Sequence, residues 1–201
     1  MLTQPDAQPP ALPGAVAGRP ARGDRAPHYQ ELPHARPGGI AGLLELLIDH
    51  HGKDDIYRLA DQLSFEIDDL LPIVDAARLL GFLTVTEGDA AITPAGAEYA
   101  NSEILRQKEL FRKAAVDNVL LVKQIVRAVE AKSDHSVPEE FFHDMLDEQF
   151  SEDETVRQLE TAINWGRYAE LYDFDASRRR FIQPEKLSHD ADESSTAEID
   201  A

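Results

Sequence analysis

At 201 residues, with 42% apolar side chains and no cysteine, the chain suffices for one medium domain or two small ones, and disulfides and thiolate metal sites are excluded. Against 20 basic side chains stand 38 acidic ones, a formal charge of −18 that opposes broad contact with nucleic acid or anionic lipid. No apolar run approaches the roughly 20 residues that span a bilayer, and the N-terminus lacks a basic region followed by an apolar core, so a cytoplasmic protein is expected.

Residues 1–36 are rich in Pro, Ala, Gly and Arg and carry no periodicity, a composition that buries too little surface to order itself. They are expected to form a disordered arm. Its four arginines (19, 22, 25 and 36) outnumber its acids Asp6, Asp24 and Glu31, making it the least acidic part of the chain. A first winged helix is expected over residues 37–101. Ile40, Leu43, Leu44 and Leu47 fall at helical spacing and Gly52 ends that run. A short helix over about 55–63, a turn at Ser64–Phe65 and a helix over about 67–80 stopped by Gly81 follow. The alternation of "FLTVTEGDAAIT" then predicts a hairpin with its tip at Gly88–Asp89. Thr93 and Pro94 open another helix.

A long connecting helix is expected over 102–132, with a break near Asp117–Asn118, where two poor helix formers adjoin. The pattern then returns over 133–185 as a second winged-helix-like unit. Ser136 and Pro138 start one helix; Ser151 and Glu154 form a capping box that opens the next, which Gly166 is expected to end. Two strands follow around a turn at Ala176–Ser177. Residues 186–201 read as an acidic disordered tail. At an offset of 85, Phe65 meets Phe150, Asp68 meets Asp153, Val74 meets Leu159, Ala77 meets Ala162 and Gly81 meets Gly166. The expected fold is therefore mainly α (α+β): tandem winged helices, each of three helices and a hairpin wing, joined by a long helix.

A winged helix reads DNA by presenting polar and basic side chains from the first turns of its third helix. Here those places hold Asp68, Asp69, Leu71, Pro72 and Asp75, whose carboxylates repel phosphate. Leu71, Pro72 and Asp75 are candidate protein contacts instead. In the second unit the matching places hold Glu152, Asp153, Glu154, Arg157, Gln158 and Glu160; Arg157 joins the candidate contacts. The acids there also suit a helix N-terminus. Two basic clusters oppose the acidic field. Arg178, Arg179 and Arg180, on the second wing, are the candidate basic contact. Arg106, Lys108, Arg112 and Lys113 on the long helix read as a solvated or ion-paired face.

No "GxxxxGK[ST]", "GxGxxG" after a strand, or "GxSxG" occurs. His143 and Asp147 stand one turn apart without forming "HExxH", and His34, His50, His51 and His135 meet only through folding, so no metal or cofactor is expected. Trp165, Tyr168 and Tyr172 read as core or hairpin aromatics.

Three stretches, "GGIAGLLELLIDHHGKDDIYRLADQLSFEIDDLLPIVDAARLLGF", "ITPAGAEYANSEILRQKELFR" and "AINWGRYAELYDFD", together resemble the AAA-associated C-terminal domain. That domain follows the ATP-binding cassette in some nitrate/sulfonate/bicarbonate-type ABC transporter ATPases. The likeness runs from about Leu32 to Ile182 and carries no catalytic residue set. Walker and signature motifs have nothing to match here, so the chain is not expected to be an enzyme.

The resemblance and the acidic surface together imply a regulatory or accessory module. Its expected partner is a protein, an ABC transporter ATPase or an associated component, and a homodimer through the long helix is open. Two rival readings stand: a transcriptional regulator touching DNA through its second wing, and a small-ligand sensor with a pocket lined by Trp165 and Tyr168.

Overall fold

The computed structural model describes residues 29–184; residues 1–28 of the expected arm and the expected tail over 186–201 lie outside the described residues. The fold is mainly helical α+β. Among the described residues it has eight helices and two small three-stranded antiparallel sheets. No described helix is long and apolar enough to cross a membrane.

The first half runs α1 (Pro37–Asp49), β1 (Lys53–Asp55), α2 (Ile56–Leu63), α3 (Ile67–Leu79), β2 (Leu83–Thr86) and β3 (Asp89–Ile92). Ile40, Leu43, Leu44 and Leu47 of α1 are buried, as their spacing predicts. Asp55 caps α2 by accepting from the Tyr57 and Arg58 amides. Ser64 turns the chain with φ 55°, and Gly81, at φ 78°, releases it from α3. At the hairpin tip Glu87 and Gly88 both have positive φ, the geometry of a tight two-residue turn. The tip therefore falls one residue before the expected Gly88–Asp89.

After α4 (Pro94–Ala100) and α5 (Ile104–Asn118), the second half repeats the order: α6 (Leu120–Ala131), β4 (Ser136–Pro138), α7 (Glu139–Asp147), α8 (Glu152–Tyr168), β5 (Asp173–Asp175) and β6 (Arg180–Ile182). The strand orders agree too, β1-β3-β2 and β4-β6-β5. The stretch expected as a long connecting helix is two helices, parted at Val119, which is extended (φ −113°, ψ 105°). Its second part, α6, holds in the second half the place that α1 holds in the first. Ser136 and Pro138, expected to start a helix, form strand β4 instead and pair with β6.

A further residue departs from its expected role. Gly166 does not end a helix; α8 passes through it to Tyr168. A Cβ there would lie 2.1 Å from the Tyr172 ring, so the glycine gives that ring its space against the helix. The helix ends at Ala169, and Glu170 (φ 53°) turns the chain.

A row of aromatic rings makes one core of the two halves. Phe82 stacks on Tyr99 at 4.8 Å, and Phe111 of α5 stands edge-on to Trp165 (5.4 Å) and Tyr168 (5.1 Å). The space proposed for a ligand pocket beside Trp165 and Tyr168 is thus filled by Phe111. Burial, and then the Tyr168 hydroxyl 3.0 Å away, pushes the Tyr99 phenol well above its usual range.

Residues 29–36 correct the expected arm. Tyr29, Leu32 and Ala35 are buried, every third residue of a segment without regular secondary structure. Its backbone is received by side chains of α8. Gln158 Oε1 accepts from the Leu32 amide (2.6 Å), Gln158 Nε2 donates to the Leu32 carbonyl (3.0 Å), and Trp165 Nε1 donates to the Ala35 carbonyl (2.8 Å). The Tyr29 hydroxyl meets Gln124 of α6. This strap lies along the second half before entering α1 of the first.

Candidate functional site

The strap and α3 enclose a groove of about 440 Å³. Gln30, Glu31, Pro33 and His34 form one wall; Asp68, Leu71, Pro72, Asp75 and Arg78 form the other. Three of the four candidate protein contacts, Leu71, Pro72 and Asp75, therefore meet in one place. The reason is helical: positions 68, 71, 72 and 75 share one face of α3, while Leu70, Val74 and Ala77 face the core. Leu71 is 40% exposed, a large apolar side chain left to solvent on an otherwise charged face. Pro72 sits inside α3 and lacks an amide, so the Asp68 carbonyl has no helical donor four residues on.

The groove is acidic with an apolar floor. Its one arginine, Arg78, is paired with Asp75 at 3.0 Å, which leaves Glu31 and Asp68 as the charges without a cation in that wall pair. A wider cleft of about 810 Å³ lies between α5, α6 and β5, but its rim is ion-paired: Arg167 with Asp173 at 2.9 Å, and Lys108 and Arg112 with Glu170 at 2.7 and 3.5 Å. The Lys108 ammonium holds the Glu170 carboxyl below its usual range.

Arg157, the fourth candidate contact, does not line the groove. It projects from α8, half exposed, and pairs with Glu154 at 2.9 Å. Gln158, whose position in α8 corresponds to a base-reading one, is fully buried and holds the strap. The capping box is half formed: Ser151 Oγ accepts from the Glu154 amide, but the Glu154 carboxylate turns to Gln158 and His34. The expectation that 29–36 belongs to an unfolded arm hid this wall of the site. The buried glutamine in a reading-helix position was the available signal, together with the Tyr29, Leu32, Ala35 spacing.

On the second wing the three arginines do not make a shared basic face. Arg178 lies 3.8 Å from Asp175, Arg179 2.7 Å from Glu139, and Arg180 3.7 Å from Asp134 while it also bonds Ser136. Arg178 and Arg179 lie in the turn and Arg180 opens β6, and with the positive φ of Arg179 (49°) the three reach different partners. Glu139 holds the Arg179 guanidinium firmly protonated. The basic cluster on α5 is spent likewise: Arg106 pairs with Glu98 and Glu109, and Lys113 with Asp117.

Asp175 organises the wing turn by accepting from the Ser177 hydroxyl and from the Ser177 and Arg178 amides. The Ser177 hydroxyl, then the Arg178 amide, hold its carboxyl below the usual aspartate range. The folded value is depressed, so this contribution is complete above the unfolded value and disappears as pH falls through the folded one. The Ser177 and Arg178 amide resonances are expected to titrate together below the ordinary aspartate range, and in Asp175→Asn to show no such step.

A model of the family described as the C-terminal AAA-associated domain matches residues 57–175, from α2 to β5. No curated protein and no solved structure matches the chain. The α3 wall of the groove lies within the matched residues and the strap wall outside them.

Proposed function

This chain belongs to the C-terminal AAA-associated domain family, and from that premise we propose that it is a non-enzymatic regulatory module: tandem winged helices whose α3 groove docks a protein. The partner proposed is an ABC transporter ATPase of the nitrate/sulfonate/bicarbonate type, or a component associated with it. The observation that carries the reading is the groove itself. Its reading helix presents Leu71 and Pro72 flanked by Asp68 and Asp75, a surface suited to an apolar side chain with a cation beside it and unsuited to phosphate.

Electrostatics supports a protein over DNA. The chain carries −18 overall, and both basic clusters face acids of their own chain. Among the described residues, each arginine of the second wing lies within 4 Å of an acid, which offsets its charge there. An acidic rim around an apolar centre instead speeds encounter with a basic protein surface and makes it salt-sensitive.

The test is capture of the purified transporter ATPase by the tagged chain at low and moderate salt. Leu71→Asp is expected to weaken capture by about thirtyfold, the roughly 2 kcal/mol of an interface anchor, while its thermal midpoint stays near that of the parent because Leu71 is already exposed. Undiminished capture by a folded Leu71→Asp protein would remove the groove from the interface.

A further inference from the structure

We propose that Glu31 and His34 of the strap and Glu154 of α8 bind one divalent transition-metal ion of the zinc type, which clamps the strap to the second half of the fold. One ligand atom from each side chain lies within 4.8 Å of the other two. Ligands at about 2.0–2.2 Å from a shared zinc ion stand roughly 3–4 Å apart. Glu31 is exposed, so a change of its side-chain torsions closes the difference without moving the backbone.

The fixed members of the set are already oriented. His34 Nδ1 lies 3.0 Å from Thr161 Oγ1, which turns Nε2 toward Glu154 Oε1 at 3.1 Å. A metal-bound histidine has its second ring nitrogen fixed by a hydrogen bond in this way, the Thr161 hydroxyl here standing where a carboxylate, carbonyl or water commonly does. Glu154 is steadied in turn by Gln158 Nε2 at 2.6 Å, and Gln158 is itself immobilised in the core on the Leu32 backbone. These contacts come from residues outside the triad. His50 pairs across a turn with Asp54 of β1, and His143 with Asp147 one helical turn on in α7; among the described residues neither belongs to a group of three possible ligands.

One imidazole with two carboxylates favours zinc, nickel or copper over magnesium or calcium. Glu31 and His34 also line the α3 groove. The ion therefore has three protein ligands and an open side, where water or a donor from a bound partner completes its shell.

The experiment uses the full chain stripped with chelator. Co²⁺ is titrated by visible absorption and Zn²⁺ by calorimetry, with circular dichroism of each metal-free variant as a fold control. One equivalent is expected to bind, with Co²⁺ bands of a low-coordinate nitrogen and oxygen site. His34→Ala and Glu31→Gln are each expected to lower affinity at least about tenfold, while His50→Ala and His143→Ala leave it unchanged. Zn²⁺ is further expected to slow amide exchange at Leu32 in the parent and not in Glu31→Gln. A chain that takes up no stoichiometric ion overturns the proposal. So does binding that survives His34→Ala or that follows His50 or His143.

Discussion

Gly166→Ala is expected to destabilise the fold by about 3 kcal/mol, the upper part of the range for an overpacked core. For a chain of this size that lowers the thermal midpoint by roughly 6–12 °C. The added Cβ would lie 2.1, 2.2 and 2.7 Å from Cε2, Cζ and Cδ2 of Tyr172. That ring has nowhere to go. It is 1% exposed, its hydroxyl donates to the Ala162 carbonyl at 2.8 Å, and its face is met edge-on by Phe181 at 5.5 Å. Relief requires breaking the buried hydrogen bond or parting α8 from the second hairpin. Gly42→Ala is the control: it lies within α1 with no atom within 4 Å of its added Cβ, so helix propensity alone predicts a gain of up to about 1 kcal/mol. Thermal denaturation followed by circular dichroism compares the two. An unchanged midpoint in Gly166→Ala would mean that Tyr172 does not rest on the helix.

The same glycine explains why some of the architecture was legible and some was not. Apolar spacing placed α1 because it records which face is buried, and a capping box marked the start of α8. Turn chemistry placed both hairpins. Gly81 and Gly166 look identical in such a reading. One is a glycine for its positive φ and the other for its missing side chain, and only the tertiary contact with Tyr172 tells them apart. Strands β1 and β4 escaped notice for a related reason: three residues are too few to show alternation, and each is held by a distant partner, β3 or β6. Of the site, the α3 wall was readable because Leu71, Pro72 and Asp75 are unsuited to any other use of that helix. The strap was not, since Pro-rich composition signals weak self-ordering and says nothing about a surface elsewhere that receives it.

Gln158→Leu is expected to release the strap, at a cost of about 3–4 kcal/mol, while the helices remain folded. The substitution keeps the side chain's approximate volume in the core. It removes the acceptor of the Leu32 amide and the donor to the Leu32 carbonyl, 2.6 and 3.0 Å away. Both backbone groups are then buried without partners, and each such loss costs roughly 1–3 kcal/mol. The strap has no secondary structure of its own with which to satisfy them, so undocking is its cheapest response. Hydrogen exchange is expected to show lost protection at Leu32, with α1 and α6 still protected. Capture of the partner is expected to fall as well, because the groove loses the wall formed by Glu31, Pro33 and His34. Gln158→Glu separates the hydrogen bonds from packing. Its carboxylate would accept from the Leu32 amide yet face the Leu32 carbonyl and the Glu154 carboxylate, which Gln158 Nε2 now meets at 2.6 Å. Burial and that neighbouring charge raise the new group's folded pKa. The strap of Gln158→Glu is therefore expected to stay docked at low pH, where the protonated acid donates, and to undock as pH rises through that value. Release of the strap independent of pH, or protection at Leu32 in Gln158→Leu equal to that of the parent, would show that apolar contacts of Tyr29, Leu32 and Ala35 hold it without the glutamine.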